Sequence, residues 1–311
     1  FVHVLSKLNR NTKEFCLFFF NLRYKESFHV DCPLRLNSPS CQKPKHTNIV
    51  FLKTHKTAST TMQNLLFRFG ERNNLTVALP IQACGHQFCY PQSFKAQFVH
   101  PHTLPANVVT NHMRFNKTAL QHLNKTTLDQ VFSLVMISEY FDESLVLLRH
   151  LLSWDLEDIL YVKLNMRTED SKKSVAPDLP AKIRAWNFID SYLYDYFNTT
   201  LWRKLSELGL AYVDREVQLL RDAQERLMKT CFGREEPLFR STGEIKRKDL
   251  RPWKPNEKVD IVGYDLPANI SREAQKVCLK YIMPEISYTD ALLRSQSLRL
   301  CCYLRPDPQQ K

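Results

Sequence analysis

A short stretch of the chain concentrates side chains that bind anions. In "NIVFLKTHKTASTTMQNLLFRFG" (residues 48–70), two lysines and a histidine follow an apolar run and lead through hydroxyl residues into a segment with helical periodicity. The first N–H groups of a helix are unpaired and carry a partial positive charge, so a turn from strand to helix binds phosphate or sulfate readily. Ammonium and hydroxyl groups add donors suited to anionic oxygens. The stretch predicts an anion cradle; the alternative is a solvated basic turn before an ordinary helix.

The residues on either side of the turn predict the elements that would position it. Residues 49–52 are β-branched, aromatic or leucine, which is typical of a buried strand. From Ser59 onward, apolar side chains recur at i, i+3, i+4 and i+7, beginning with Met62, and Gly70 suits the end of a helix. A nucleotide-triphosphatase loop requires the pattern G-x-x-x-x-G-K-S/T. The turn has no glycine, which argues against a Walker-type kinase or ATPase.

The overall composition limits the class of protein. The chain has 311 residues, of which 43% are hydrophobic and 24% charged, as expected of a globular protein without a bias toward disorder. Lysine and arginine number 44 against 32 acidic residues, which gives a net charge of +12. This excess favours an anionic partner: nucleic acid, acidic lipid, or a small molecule that bears phosphate or sulfate.

The cysteine count and the glycosylation sequons favour the secretory lumen. Nine cysteines are many for a cytosolic enzyme of this size, and five Asn-x-Ser/Thr sequons occur as well. A lumenal location counts against nucleic acid as the partner, and the clustered arginines and stacking aromatics of a nucleic-acid binder are not found along one face. The sequons begin at Asn74, Asn116, Asn124, Asn198 and Asn269.

No run of the sequence reaches the ~18 apolar residues that span a bilayer. The nearest, "FCLFFFNL" (residues 15–22), is too short and is flanked by charged residues. The chain opens with Phe1 rather than methionine. We therefore expect a fragment or processed form from which an upstream membrane anchor is missing.

Strand-like and helical segments alternate along the first half of the chain. Residues 107–115 and 132–141 are typical of strands, residues 142–154 of a helix and residues 158–165 of another strand, after which helices dominate. This order predicts an α/β fold with a parallel sheet flanked by helices and a helical C-terminal part. One helical stripe expected in the core consists of Trp186, Ile189, Leu193 and Phe197.

"FLKTHKTAST" (residues 51–60) resembles the 5′-phosphosulfate loop of the galactose-3-O-sulfotransferase family, whose members carry LKTHKT followed by Gly or Ala and then Ser. The resemblance covers about residues 48–285 and implies a P-loop-like sulfotransferase fold. Further segments similar to the family, in the same order, are "NHMRFN" (111–116), "EYFDESLVLL" (139–148), "LEDILYVKLN" (156–165), "AWNFIDSYLYDYFN" (185–198) and "PWKP" with "DIVGYDL" (252–266).

The resemblance implies a function and a location. The sulfate donor would be 3′-phosphoadenosine 5′-phosphosulfate, and the acceptor the 3-hydroxyl of a terminal β-galactose on a glycolipid or glycoprotein, such as galactosylceramide or lactosylceramide. The enzyme would be a type II protein of the Golgi membrane with its catalytic domain in the lumen. The predicted divisions are an irregular stem (1–47), a sulfotransferase domain (48–285) and a C-terminal tail (286–311).

The resemblance also implies roles for the residues of the cradle. Lys56 would stabilise charge on the leaving phosphate, Lys53 would hold the phosphosulfate, and the hydroxyl residues with nearby N–H groups would bind the 5′-phosphate. Because a sugar hydroxyl needs a base near neutral pH, His55 is the first candidate and His112 the second, as base or as a ligand of the acceptor. The predicted catalytic residues are His55, Lys56 and His112. The predicted donor-binding residues are Lys53, Thr54, Lys56, Thr57, Ser59, Thr60 and Thr61.

The segment "CGHQFC" (84–89), with His100 and His102 nearby, has a loosely zinc-like composition. Its spacing fits no strong zinc template, and in an oxidising lumen a Cys84–Cys89 disulfide is the better prediction. No metal is therefore expected. The resemblance implies a second disulfide, Cys231–Cys278.

One region departs from the family pattern. Members hold the 3′-phosphate of the donor through a region between the NHMRF and EYFDES segments, with an Arg-x-Pro motif and a later serine. Here only residues 116–131 intervene, and they contain no arginine. A central strand and helix are expected to be missing as well. The alternative to an active transferase is thus a non-catalytic variant that keeps only the cradle.

Overall fold

The computed structural model describes residues 17–22, 44–54, 57–114, 133–168, 176–234, 237, 239–254, 256 and 259–303. These residues form a mixed α/β structure with a five-stranded sheet and a two-stranded sheet. The strands are β1 (Leu17–Leu22), β2 (Ile49–Leu52), β3 (Val77–Ala78), β4 (Val108–Val109), β5 (Leu134–Ile137), β6 (Phe239–Arg240) and β7 (Gly263–Tyr264). The α-helices are α1 (Ser59–Arg72), α2 (Phe141–Leu152), α3 (Leu179–Trp186), α4 (Phe188–Leu208), α5 (Leu210–Phe232), α6 (Arg272–Ile282) and α7 (Glu285–Tyr303).

The larger sheet has the strand order β3-β4-β2-β1-β5. Strands β2, β3 and β4 are parallel, which agrees with the predicted parallel sheet. Strand β1 is antiparallel to both of its neighbours, β2 and β5, so β5 runs in the same direction as β2, β3 and β4. The sheet is therefore a parallel set of four strands with one reversed strand inserted between β2 and β5.

The inserted strand comes from the N-terminal part of the chain. The sequence predicts an irregular stem over residues 1–47, but Leu17–Leu22 form β1, with Phe19 opposite Leu52 on one side and Val135 on the other. A strand inside a sheet pairs its backbone groups at both edges. Strand β1 therefore joins β5 to the rest of the sheet, since it covers edges of β2 and β5 that would otherwise lack a partner.

Helix α1 follows β2 as predicted and packs its buried side on the sheet. Its start at Ser59 matches the predicted boundary, whereas it continues past Gly70 to Arg72. Gly70 is needed for packing rather than for the helix end, because a Cβ there would lie 2.7 Å from Cγ2 of Val77. The close approach of α1 to β3 thus requires a residue without a side chain at this position.

The predicted strand over residues 158–165 is wrong. Residues 156–158 form a 3-10 turn, and residues 159–164, which are buried except for Lys163, belong to neither sheet. Their backbone groups bond to side chains instead: Gln224 of α5 exchanges two 2.9 Å hydrogen bonds with the N–H and carbonyl of Tyr161, and Thr61 accepts from the N–H of Leu164 at 2.9 Å. These bonds fasten residues 159–164 between α1 and α5.

In the helical part after residue 176, the buried residues are not all the ones that the sequence predicts. Phe197 is buried and Leu193 is half-buried, as expected, but Trp186 is 75% exposed and Ile189 is 51% exposed. Helix α3 ends at Trp186 and α4 begins at Phe188, so the periodicity does not continue across the junction. The expected core stripe is therefore confirmed only for Leu193 and Phe197, and it is wrong for Trp186 and Ile189.

Two helices at the C-terminal end close over α1. Helices α6 and α7 both contact α1, and a disulfide between Cys231 of α5 and Cys278 of α6 confirms the pairing implied by the family resemblance. The segment predicted as a tail begins within α7, a 19-residue helix. Among the described residues, no helix combines the length and the apolar content that a membrane crossing requires.

Candidate functional site

The predicted cradle lies at the carboxyl end of β2. Lys53 and Thr54 follow the strand directly, Ala58 takes a left-handed conformation with φ of 55°, and α1 begins at the next residue. The strand–turn–helix arrangement is thus confirmed. The predicted catalytic residues His55 and Lys56 lie outside the described residues.

The hydroxyl groups of the turn bond to one another. The Oγ1 atoms of Thr54 and Thr57 are 2.7 Å apart, and Oγ of Ser59 donates to the carbonyl oxygen of Thr54 at 2.5 Å. These bonds tie the end of β2 to the start of α1 across the turn. They also commit the Ser59 proton to the protein itself.

The first turn of α1 supplies backbone donors. The helical ladder begins with the N–H of Met62, which donates to the carbonyl of Ala58 at 3.2 Å. The N–H groups of Ser59, Thr60 and Thr61 precede that ladder, as the first groups of any helix do. They form, with the helix dipole, the part of the cradle best suited to an anion.

Two of the predicted donor-binding threonines contact residues 164 and 165, in the loop that follows residue 158. Thr61 is buried and accepts a hydrogen bond from the N–H of Leu164, whereas Thr60 is half-buried and lies 3.5 Å from Nδ2 of Asn165. Both residues therefore position a neighbouring loop against the start of α1. Their contact with a donor stays a prediction.

Lys53 points away from solvent, into a buried polar network. Only 2% of the residue is exposed; its Nζ donates to Oε1 of Gln63 at 2.7 Å and forms an ion pair with Glu285 at the start of α7. Burial lowers the pKa of the Lys53 ammonium, and the adjacent Glu285 carboxylate opposes that shift. Contact between this ammonium and a donor would require the ion pair to open, so the predicted role of Lys53 stays a prediction.

His112 lies beside the cradle because β2 and β4 are adjacent parallel strands whose carboxyl ends meet. It is buried, and its Nδ1 is 3.1 Å from the carbonyl oxygen of Lys53. A carbonyl oxygen only accepts, so Nδ1 carries the proton in this contact. In the neutral ring the lone pair is then on Nε2, the form of imidazole that accepts a proton from a substrate.

The site also contains residues that the sequence analysis did not single out. Gln63 of α1 donates from Nε2 to the carbonyl of Thr110 at 2.6 Å and to Oδ1 of Asn111. The available signal was a polar residue among the apolar positions of α1. Glu285, in the first turn of α7 after Pro284, had only the ordinary signature of an acidic residue near a helix N-terminus.

The cysteine–histidine segment near the cradle is held by a disulfide. Cys84 and Cys89 are bonded to each other, which confirms the prediction. His100 accepts from the N–H of His102 at 3.2 Å, and Nδ1 of His102 lies 3.1 Å from Oγ of Ser297. In the part of the chain that the structure describes, no three His, Cys, Asp or Glu side chains are grouped to hold a metal ion.

The family model and the related proteins that match this chain indicate the same family. The family model described as Galactose-3-O-sulfotransferase matches residues 15–128 and 124–296. The chain is 41% identical to Galactose-3-O-sulfotransferase 3 of Bos taurus over 372 residues, with 92% of this chain and 86% of the relative covered. It is 29% identical to Galactosylceramide sulfotransferase of Homo sapiens over 342 residues, with 82% and 80% covered. No solved structure matches the chain.

The alignments also contain a gap on the side of this chain. The match to the Bos taurus relative spans 372 positions but includes only 92% of the 311 residues, about 286, so about 86 positions of the alignment have no residue in this chain. The two blocks of the family match meet at residues 124–128, between β4 and β5. That junction lies within residues 116–131, the segment predicted to be shortened.

Proposed function

The chain belongs to the galactose-3-O-sulfotransferase family, and on that premise we propose that it transfers sulfate from 3′-phosphoadenosine 5′-phosphosulfate (PAPS) to the 3-hydroxyl of a terminal β-galactose. It is a sulfotransferase. We place the acceptor among galactose-bearing glycolipids and glycoproteins, such as galactosylceramide or lactosylceramide. The names of its relatives, which include Galactosylceramide sulfotransferase, support that class.

The contact between His112 and Lys53 is the observation that carries the proposed chemistry. A base near pH 7 is needed to take the proton of the galactose 3-hydroxyl, and imidazole has a suitable intrinsic pKa. The carbonyl of Lys53 keeps the proton of His112 on Nδ1, so that Nε2 is the accepting atom. We assign the base to His112, with His55 as the competing candidate because it lies in the cradle sequence itself.

The cradle would bind the sulfate-bearing end of the donor. Bound PAPS supplies the activated sulfuryl group; the galactose oxygen bonds to its sulfur while the bond from sulfur to the phosphate oxygen breaks, which leaves adenosine 3′,5′-bisphosphate. Lys56 would stabilise the charge that develops on that phosphate. Thr57 and the N–H groups of Ser59 and Thr60 would bind the 5′-phosphate, because they lie at the positive end of α1.

The donor's two ends fit this chain unequally. For the 5′ end, the first-turn N–H groups of α1 lie next to the hydroxyl of Thr57, and Lys56 directly precedes Thr57 in the sequence. For the 3′-phosphate, the family resemblance implies an arginine in the region between the NHMRF and EYFDES segments. Residues 116–131 of this chain, which occupy that region, contain no arginine. Each charged hydrogen bond contributes about 1.5–3 kcal/mol, so we expect donor affinity below that of a full-length relative.

A binding and transfer experiment tests the proposal. Adenosine 3′,5′-bisphosphate should raise the melting temperature of the protein, and radiolabelled sulfate from PAPS should appear on lactosylceramide. Lys56→Met should lower turnover at least 100-fold, in the range found when one charge-stabilising donor is removed from an active site. Lys182→Met is the matched control, because Lys182 lies on α3 with its side chain 73% exposed. Label transfer that survives Lys56→Met would refute the assigned role.

A second candidate function is a non-catalytic member of the family. The length of the alignment and the junction of the two family blocks at residues 124–128 favour it, because that junction lies within the segment expected to bind the 3′-phosphate. A folded protein that transfers no label, and whose melting temperature is unchanged by the bisphosphate, would support this candidate. A protein that binds the bisphosphate and transfers label would exclude it.

We propose the Golgi lumen as the location of the catalytic domain, with a type II anchor upstream of the chain. Two disulfides in the described residues support an oxidising compartment. The sequons support the same compartment, because N-glycans are added in the secretory pathway.

A further inference from the structure

Beneath the cradle lies a buried polar network that joins three parts of the fold. Resting on the proposed function, we infer that Lys53 is a positioning residue: Glu285 and Gln63 hold its ammonium below the cradle, and its main-chain carbonyl sets the orientation and tautomer of His112. Glu285 and Gln63 are then positioning residues for the same base. The sequence motif alone favours a different role, in which the Lys53 ammonium touches the donor.

The ion pair is the first reason to place Lys53 below the cradle. The side chain of Lys53 has no exposed surface, and that of Glu285 is 17% exposed. Oε1 of Glu285 is buried without a hydrogen-bond partner among the described residues, and the ion pair with Lys53 is made through Oε2. If the ammonium left to bind a donor, the carboxylate would remain buried without its counter-charge, which is strongly unfavourable.

Gln63 is the second reason to assign Lys53 a positioning role, because both the oxygen and the nitrogen of its side-chain amide form hydrogen bonds. The oxygen accepts from Lys53, so the nitrogen must face the opposite way, where it donates to the Thr110 carbonyl and the Asn111 side chain. Lys53 follows β2, whereas Thr110 and Asn111 follow β4. One side chain of α1 thereby fastens together the ends of the two strands that carry the cradle and His112.

The contact with His112 completes the connection to chemistry. Its Nδ1 donates to the carbonyl of Lys53, whose side chain is held by Glu285 and Gln63. Because the side chain and the carbonyl are attached to one backbone, the contacts of the ammonium with Glu285 and Gln63 restrict the backbone of Lys53 and, with it, the position of that carbonyl. The start of α7 is therefore coupled to the base through Lys53, although Glu285 itself need not touch substrate.

A double-substitution experiment separates this inference from direct donor binding. Lys53→Met leaves Glu285 without its counter-charge, Glu285→Gln leaves the ammonium without its carboxylate, and the double variant removes both charges. The surface substitution Lys182→Met is again the control for loss of a lysine.

The inference predicts that Lys53→Met lowers both the melting temperature and kcat, by tenfold or more for kcat. The double variant should regain at least half of each loss, and the dissociation constant of adenosine 3′,5′-bisphosphate should stay within threefold of the unsubstituted protein in all three variants. If Lys53 binds the donor directly, that constant rises at least tenfold in Lys53→Met and in the double variant but not in Glu285→Gln. That pattern would overturn the inference.

The melting temperatures need no ligand, so they distinguish failure of the inference from failure of the proposed function. If the unsubstituted protein does not bind the bisphosphate, the proposed function fails, while recovery of the melting temperature in the double variant still supports the ion pair. If the losses of the two single variants simply add in the double variant, the residues are not coupled and the inference fails. Should Lys53→Met not fold, recovery of a folded double variant would support the coupling, and failure of both would contradict it.

Discussion

Nδ1 of His112 lies 3.1 Å from the carbonyl oxygen of Lys53, although 59 residues separate the two along the chain. The contact exists because β2 and β4 are parallel neighbours and both residues follow the carboxyl end of their strand. Open α/β sheets bind ligands at this end of their strands. The same contact decides which nitrogen of the imidazole can accept a proton, so it connects the fold to the proposed chemistry.

Two amide substitutions, His112→Asn and His112→Gln, test the assignment of His112 as the base. In His112→Asn the side-chain amide can take the place of Nδ1 and still donate to Lys53, but it cannot act as a base. We expect kcat to fall at least 100-fold, with little change in the melting temperature, as typical for loss of a general base. The measurements are label transfer and thermal unfolding.

His112→Gln is the matched control for this prediction, because its longer side chain places the amide where Nε2 was and abandons the Lys53 carbonyl. It should lose turnover and stability together. If His112→Asn retains turnover while His55→Ala abolishes it and leaves affinity for the bisphosphate intact, then His55 is the base and our assignment is wrong.

Strand β1 should be required for the stability of the sheet. Phe19 pairs with Leu52 and Val135, and proline at this position removes the backbone N–H and with it a ladder hydrogen bond. We expect Phe19→Pro to lower the melting temperature by several degrees more than Phe19→Ala, which keeps the N–H. Equal effects of the two substitutions, measured by thermal unfolding, would show that β1 does not contribute its backbone to the sheet.

The two disulfides should differ in their contribution to stability. Cys231–Cys278 closes a span of 47 residues, whereas Cys84–Cys89 closes a span of 5. In the chain-entropy account the longer loop restricts the unfolded state more, and removal of such a bridge typically costs about 2–5 kcal/mol. Denaturant unfolding of the two double-serine variants should therefore show the larger loss for Cys231→Ser with Cys278→Ser. The reverse order would contradict the account.

Two sequons should carry glycans if the domain is lumenal. Asn74 and Asn269 are both exposed, whereas Asn198 is half-buried within α4. We expect endoglycosidase treatment to reduce the apparent mass of the protein produced in secretory cells. Asn74→Gln and Asn269→Gln should each make that reduction smaller by the mass of one glycan. A mass that glycosidase leaves unchanged would argue against the proposed location.

The strand, turn and helix of the cradle could be predicted because each depends on local sequence. The apolar run of residues 49–52 and the helical spacing that starts at Ser59 are visible without any knowledge of the rest of the chain. The contacts of Lys53 could not be predicted in the same way. Glu285 is far away in sequence, and a lysine in a cationic turn is ordinarily expected to face solvent or an anion.

The errors in the predicted fold also arise from contacts between residues that are distant in sequence. Residues 158–165 are as apolar as a buried strand, but Gln224 and Thr61 satisfy their backbone, and such side-chain partners leave no periodic pattern. Leu17–Leu22 lie in a charged and irregular context, yet they pair with two distant strands. Burial can be estimated from composition, whereas the partner of a backbone group depends on contacts between remote parts of the chain.

The most direct test of the central claim is transfer of radiolabelled sulfate from PAPS to two matched acceptors, a β-galactoside and its 3-deoxy analogue. We predict label on the β-galactoside and none on the analogue, which lacks the accepting hydroxyl, with the product stable to a β-galactosidase that requires a free 3-hydroxyl. Equal labelling of both acceptors would contradict the proposed position of transfer. No labelling of either by a folded protein would contradict the claim that this chain is an active galactose 3-O-sulfotransferase.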